Sequence, residues 1–263
     1  MKLTTRNIAL VAIFAALYYI LSLIAPIKIP TGVGELSISF AAAIATVFGL
    51  VLGPYLGAAS ALLGASIAWV LTGSPIFDLP FLLSPTLNAL VTGLIFYRKW
   101  KWGFLAFGVL IIAFLFTPPV TTPPAPPVPA NIENWYIALA VLFDKIVAIL
   151  LILPIALFGK KMSLAHGAAF YFLIAFVGNQ ADNIWGSFIF ATPMVYNGIF
   201  GMSVEGVQFA FLASPFLYPA IRIVQAFIAM IIAVPLMQTL KGTPWLWQKI
   251  NILSNDTTKE EQK

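Results

Sequence analysis

The chain has 263 residues, of which 61% are hydrophobic and 9% are charged, and its formal net charge is +5. A typical soluble domain is about 25% charged, so this composition excludes an ordinary soluble protein and predicts an integral membrane protein. The absence of cysteine excludes disulfides, thiolate metal sites and a cysteine nucleophile.

Eight apolar runs follow one another along the chain, and each is a candidate membrane crossing. The first is interpreted as a retained helix, because its apolar run is too long for a signal peptide and no clean small-residue cleavage site follows it. Two runs are short and are interrupted or closed by proline, so six helices with a re-entrant pair also fit the pattern. The runs cover residues 7–25, 37–53, 54–72, 81–97, 103–118, 135–158, 164–190 and 214–240.

The basic residues predict the orientation of these helices in the cell membrane. With the N-terminus inside, the outer loops carry Lys28 as their only basic residue, as the positive-inside rule requires. This separation predicts an even number of crossings with both termini cytoplasmic, and it explains the positive charge without a nucleic-acid partner. The basic residues on the inner side are Lys2, Arg6, Arg98, Lys99, Lys101, Lys160, Lys161, Lys241 and Lys249.

The predicted fold is therefore an all-α, polytopic helical bundle of six to eight transmembrane helices. Residues 1–241 form one transmembrane domain, and residues 242–263 form an interfacial segment and cytoplasmic tail in this interpretation. The outer segment 117–134, TPPVTTPPAPPVPANIEN, is rich in proline, which predicts a stiff, extended loop without helix or strand. It is interpreted as a spacer, with a lid over an outward pocket as the alternative.

Small residues recur four apart in the first three runs, where they favour close helix packing. The first run contains Ala12 and Ala16, and the second and third runs meet in the stretch FGLVLGPYLGAASALLGA. The further rows are Ala41, Ala45, Gly49 and Gly53, then Gly57, Ala61 and Ala65, and finally Ser60, Gly64 and Ala68.

In their order and spacing, these features resemble the N-terminal half of the S components of energy-coupling factor (ECF) transporters. Ala12 and Ala16 match the family's Ala-x-x-x-Ala motif, and Gly53, Pro54 and Gly57 match its Gly-Pro-x-x-Gly-like turn between the second and third helices. The resemblance implies a subunit that binds a vitamin-like solute, docks through Ala12 and Ala16 on a T component, and depends on two ATPase subunits. The chain is longer than the family's usual length, so no pocket residue is carried over from the family.

A polar cluster interrupts the seventh run, in the stretch VGNQADNIWGSF. Asn179, Asp182 and Asn183 stand at i, i+3 and i+4, which is one face of a helix, and Trp185 flanks that face. An Asp at the centre of a membrane-spanning helix costs about 2.5–3.5 kcal/mol, so this face is expected to point into the bundle or a water-filled cavity.

Three further ionisable residues lie within apolar runs: Asp144, Lys145 and Arg222. One interpretation is a buried ion pair of Asp182 with Arg222 or Lys145 that fixes the helix register. The other is a polar site for a small ligand that enters from outside, with an aromatic ring stacked on it. The candidate substrate-binding residues are Asn88, Asp144, Lys145, Asn179, Asp182, Asn183, Trp185 and Arg222.

The sequence contains no metal-binding motif and no glycine-rich phosphate loop, so no metal or other cofactor is expected and ATP hydrolysis is assigned to another chain. The favoured prediction is a non-enzymatic uptake subunit whose partners are a vitamin-like ligand, membrane lipid, a T component and two ATPase subunits. The alternatives are a stand-alone transporter that binds protons or sodium at Asp144 and Asp182, an intramembrane lipid-modifying enzyme and a purely structural subunit. The identity of the ligand stays open at this point.

Overall fold

The computed structural model describes residues 4–24, 27–31, 34–38, 40–73, 76–165, 167–240 and 243. The predicted tail at 242–263 lies outside the described residues apart from Thr243, and the domain division remains a prediction. The helices are α1 (Thr5–Ser22), α2 (Phe40–Thr72), α3 (Leu83–Phe96), α4 (Trp100–Leu115), α5 (Pro118–Thr121), α6 (Asn134–Ala165), α7 (Gly167–Phe190), α8 (Pro193–Tyr196), α9 (Val204–Leu212) and α10 (Ser214–Leu240). A 3-10 helix, Ile76–Leu82, precedes α3, and the strands β1 (Ile27–Thr31) and β2 (Gly34–Ile38) lie between α1 and α2.

The described chain is predominantly helical, and its long helices coincide with the eight apolar runs. Among the described residues, five helices are long and apolar enough to cross a membrane, and they lie within α1, α2, the segment Leu79–Phe96, α6 and α10. The central helix α7 is not among these five, although it has 24 residues. Its hydropathy is lowered by the polar cluster, since amide and carboxylate side chains are unfavourable in a membrane.

The antiparallel hairpin of β1 and β2 is the one departure from an all-α fold within the described part of the chain. Its register pairs Ile27 with Ile38 and Thr31 with Gly34. In the sequence IKIPTGVGELSI, the pair Gly32 and Val33 separates two short stretches that contain isoleucine, and this pattern is a hairpin signal. The sequence prediction counted only its end as part of the second apolar run.

The second and third apolar runs form one element, α2, with a sharp bend at Gly53. Gly53 has φ 79° and ψ 177°, a backbone conformation that favours glycine, and Pro54 follows with no N–H to donate. Tyr97, just after α3, donates a hydrogen bond from Oη to the Leu50 carbonyl at 2.7 Å. This bond satisfies a carbonyl near the end of the part of α2 that precedes the bend, where carbonyls lack a partner within the helix. The predicted Gly-Pro turn between two helices is therefore present.

The prediction that segment 117–134 contains no helix is wrong, because Pro118–Thr121 form the short helix α5. Proline is tolerated in the first turn of a helix, where its missing N–H has no intrahelical partner to lose. The segment is also tied to α9, since Gln208 Nε2 donates to the carbonyls of Pro119 at 3.0 Å and Thr122 at 2.8 Å. It is thus held in place by specific hydrogen bonds.

α7 is the central helix, and it packs against α3, α6 and α10. Every residue from 174 to 184 is buried, so this part of α7 is covered on all sides. α3 and α7 are in tight contact at Gly178, where a Cβ atom would overlap Thr92 Oγ1 and Asn88 Oδ1. Small residues set the distance between these helices, as they do in other membrane bundles.

Gly178→Ala is expected to destabilise the protein by about 1–3 kcal/mol, because the added methyl group forces α3 and α7 apart. Thermal denaturation of the purified protein in detergent measures the loss. Gly186→Ala is the matched control on the same helix, since a Cβ there meets no atom within 4 Å. The control should keep or slightly raise stability because alanine is the better helix former, and equal losses in both variants would contradict the close contact.

Candidate functional site

The polar residues of α7 fall into two groups, and the first group is dry. Asn88 Nδ2 donates to Asn179 Oδ1 and to the Ala42 carbonyl, both at 3.2 Å, and Asn179 Nδ2 donates to the Ala175 carbonyl at 2.9 Å. Thr46 Oγ1 completes the group by donating to Asn88 Oδ1 at 2.8 Å. Asn88 and Asn179, two of the predicted ligand-binding residues, have 0% exposure and hold α2, α3 and α7 together.

The second group begins with an ion pair inside α6. Lys145 Nζ lies 2.9 Å from Asp144 Oδ1 and 5.6 Å from the centroid of the Tyr218 ring, and Lys145 has 0% exposure. Gln180 Nε2 donates to Asp144 Oδ2 at 3.0 Å, and Asn183 Nδ2 donates to Gln180 Oε1 at 3.3 Å. A buried chain of contacts thus leads from α6 to Asn183 on α7.

A second ion pair joins α7 to α10. Arg222 Nη2 lies 3.3 Å from Asp182 Oδ1, and Arg222 Nη1 donates to Gln225 Oε1 at 2.8 Å. Of the two partners predicted for Asp182, the structure therefore selects Arg222, while Lys145 pairs with Asp144. The buried Arg222 Nε–H has no hydrogen-bond partner within the described residues.

A cavity of about 310 Å³ lies beside this second ion pair. It is enclosed by residues of the 3-10 helix, α3, α7, α9 and α10. Its volume falls in the range of about 300–1,000 Å³ that is typical of small-molecule sites. It is lined by Phe81, Ser84, Asp182, Asn183, Gly186, Ser187, Phe190, Phe211, Tyr218 and Arg222. Aromatic rings therefore surround a carboxylate, a guanidinium, an amide and two serine hydroxyls, which suits a flat ligand with polar edges.

Three of the predicted site residues line this cavity: Asp182, Asn183 and Arg222. Asn88, Asp144, Lys145 and Asn179 do not line it. Trp185 does not line it either. Its Nε1 donates to the Pro80 carbonyl at 3.0 Å, which ties α7 to the 3-10 helix at the residue before Phe81.

Sequence reasoning missed the two serines and the aromatic rings of the cavity. Ser187 could have been found, because it stands at i+4 from Asn183 and continues the polar face of α7. The rings of Phe81, Phe190, Phe211 and Tyr218 gave no such signal. An aromatic residue in an apolar helix has the same appearance in the sequence whether it faces lipid, core or cavity.

The small-residue face of α1 is uncovered by the described residues of this chain. Ala12 and Ala16 are exposed, whereas Ala15 and Tyr18 of the same helix are buried at 2% and 8% exposure. α1 thus packs on α2 through one face and presents Ala12 and Ala16 on the other. Among the described residues, no group of three or more His, Asp or Glu side chains is placed to hold a metal ion.

In the comparison with protein families, the model described as ECF-type riboflavin transporter, S component, matches residues 2–158. The matched region contains Ala12, Ala16 and the turn at Gly53, and it ends within α6. No curated protein and no solved structure matches the chain. Most of the residues that line the cavity lie in α7, α9 and α10, beyond the matched region.

Arg222→Gln is expected to lower stability by about 3–5 kcal/mol, because it leaves the buried Asp182 without its cation. Thermal denaturation in detergent measures the loss. The double variant Asp182→Asn, Arg222→Gln should recover most of it, since neither charge then stays unpaired. Arg98→Gln changes an exposed arginine in the same way and should have an effect of less than about 1 kcal/mol. Wild-type stability in Arg222→Gln alone would contradict the pairing.

Proposed function

Since the chain belongs to the S components of ECF-type riboflavin transporters, we propose that it binds riboflavin in the cavity beside Asp182 and Arg222 and delivers it across the cell membrane. Members of this family are multi-pass membrane subunits of vitamin transporters, not enzymes, and they work with T and ATPase components. The proposal adds the ligand, its site and the partner-docking surface for this chain.

The composition of the cavity is the observation that carries the proposal. Riboflavin is a flat, three-ring heterocycle with a polar imide edge and a hydroxylated side chain. Aromatic walls such as those of Phe190 and Phe211 suit the ring faces, while Asp182, Asn183 and Arg222 supply acceptors and donors for the polar groups. An apolar pocket with a few fixed polar groups is the usual design of a small-molecule site.

The predicted topology supports capture of the ligand from outside. With both termini cytoplasmic, α7 runs from the inner to the outer side, and Asp182 lies in its second half. α10 runs in the opposite direction, and Arg222 lies near its beginning. Both side chains of the cavity ion pair are therefore on the outer half of the bundle.

Docking on a T component is assigned to the exposed face of α1 with Ala12 and Ala16. Small side chains allow another helix to approach closely, and close packing is the main source of helix association in lipid. Two ATPase subunits then supply the energy for delivery. This arrangement separates the ligand cavity on α7 and α10 from the docking surface on α1.

A stand-alone transporter coupled to protons or sodium is less well supported. Its ion would bind at Asp144 or Asp182, but both carboxylates already have cationic partners, Lys145 and Arg222. A carboxylate that is paired in this way offers a poor site for a second cation.

Wild-type protein in detergent is expected to bind riboflavin, measured by quenching of flavin fluorescence. Gly186→Leu should weaken binding at least tenfold, because Gly186 lines the cavity and a larger side chain would occupy it. Gly167→Leu is the matched control: it is on the same helix, a Cβ there meets no atom within 4 Å, and it is away from the cavity. Wild-type protein without riboflavin affinity would contradict the proposed ligand, and equal effects of the two variants would contradict the proposed site.

Ala12→Trp with Ala16→Trp is expected to abolish ATP-dependent riboflavin uptake in vesicles that also contain the T and ATPase subunits, because the indole rings block close helix contact. Riboflavin affinity in detergent should be unchanged. Leu150→Trp on α6, where the side chain is 65% exposed, is the control and should retain uptake. If the double variant loses affinity along with uptake, α1 does not act as a docking surface.

A further inference from the structure

The orientation of the Asn183 amide in the cavity wall is determined by a carboxylate that does not line the cavity. Asp144 Oδ1 lies 2.9 Å from Lys145 Nζ, and a carboxylate in an ion pair accepts hydrogen bonds and donates none. Gln180 must therefore turn its NH₂ group towards Asp144, which it meets at 3.0 Å, and its Oε1 is left to face Asn183. Asn183 then donates to that Oε1 at 3.3 Å, so its own Oδ1 is turned away from Gln180.

The polar atoms of the cavity consequently have fixed hydrogen-bonding roles. Within the described residues, the hydrogen bond of Asn183 uses its Nδ2 and that of Asp182 uses its Oδ1, so Asn183 Oδ1 and the second oxygen of Asp182 are left as acceptors. Both groups are acceptors on α7. On the facing helix α10, Arg222 is a donor only, and its Nε–H is buried without a partner in the described part of the chain.

We propose that Asp144 and Gln180 are positioning residues that set the polarity of the cavity, so that it selects a ligand edge in which an N–H donor lies beside a carbonyl acceptor. A hydroxyl can donate or accept, so it pairs with a wall of either polarity, and fixed polarity does not select for it. A lactam or imide edge has fixed polarity itself, and it matches a wall that accepts on α7 and donates on α10. The inference rests on the proposed function, because in riboflavin this edge is the imide, with N3–H between two carbonyls.

The test compares riboflavin with 3-methylriboflavin, in which a methyl group replaces the N3 hydrogen. Dissociation constants are measured by fluorescence quenching with the full-length protein in detergent. Wild-type protein should bind the methylated flavin about tenfold to a hundredfold more weakly, because an acceptor in the wall is left unpaired. Gln180→Met removes the link between Asp144 and Asn183, so the freed amide can turn and the two constants should fall within about threefold of each other.

Thr46→Val is the control, because it breaks a buried hydrogen bond of the dry Asn88 group and leaves the cavity unchanged. It should keep the wild-type ratio of the two constants even if stability falls. Asn183→Ser is the second variant, and it decides the question if Gln180→Met does not fold. A serine hydroxyl can donate or accept, so this variant should also lose the selectivity.

Equal affinity of the wild type for both flavins overturns the inference while leaving the proposed function intact. The same holds if Gln180→Met or Asn183→Ser keeps the wild-type ratio, since the methyl group would then be excluded by its size alone. Failure of the wild type to bind either flavin overturns the proposed function and this inference together.

Discussion

Hydrogen-bond pairing of polar side chains inside an apolar bundle is the constraint on which the rest of this structure depends. α7 carries amide and carboxylate groups through a region where an unpaired polar group costs several kcal/mol. The bundle satisfies them in two ways. Near the middle of the helix, Asn179 accepts a hydrogen bond from Asn88 and donates one to a backbone carbonyl. These bonds form a dry contact among α2, α3 and α7. Further along, Asp182 and Asn183 line a cavity and keep part of their hydrogen-bonding capacity free there.

Among the described residues, the buried charges of Asp144, Lys145 and Asp182 each have an opposite charge next to them. The Asp144–Lys145 pair lies on one helix, whereas the Asp182–Arg222 pair joins two helices. A buried ion pair adds little net stability, but removing one partner is costly, so such pairs constrain geometry. Here they fix the orientation of the amides of Gln180, Asn183 and Gln225. In the proposed site, the polarity is therefore set before any ligand arrives, which reduces the free-energy cost of binding.

The two halves of the chain carry different parts of the proposed function. The region that matches the family model contains the turn at Gly53, which concerns helix packing, and the uncovered alanines of α1, to which docking is assigned in the proposal. The cavity is formed mainly by α7, α9 and α10, which lie outside that match.

The membrane class and the positions of the helices could be predicted from the sequence, because hydropathy and helical periodicity are local properties. The polar face with Asp182 and Asn183 followed from the same periodicity, as did the close packing of the small residues. The choice between Arg222 and Lys145 as the partner of Asp182, the dry closure of Asn179 on Asn88 and the aromatic walls of the cavity could not be predicted. They depend on distances between helices that are far apart in the chain, and the sequence does not encode these distances in any local pattern. Only tertiary packing decided which polar groups are consumed by one another and which remain for a ligand.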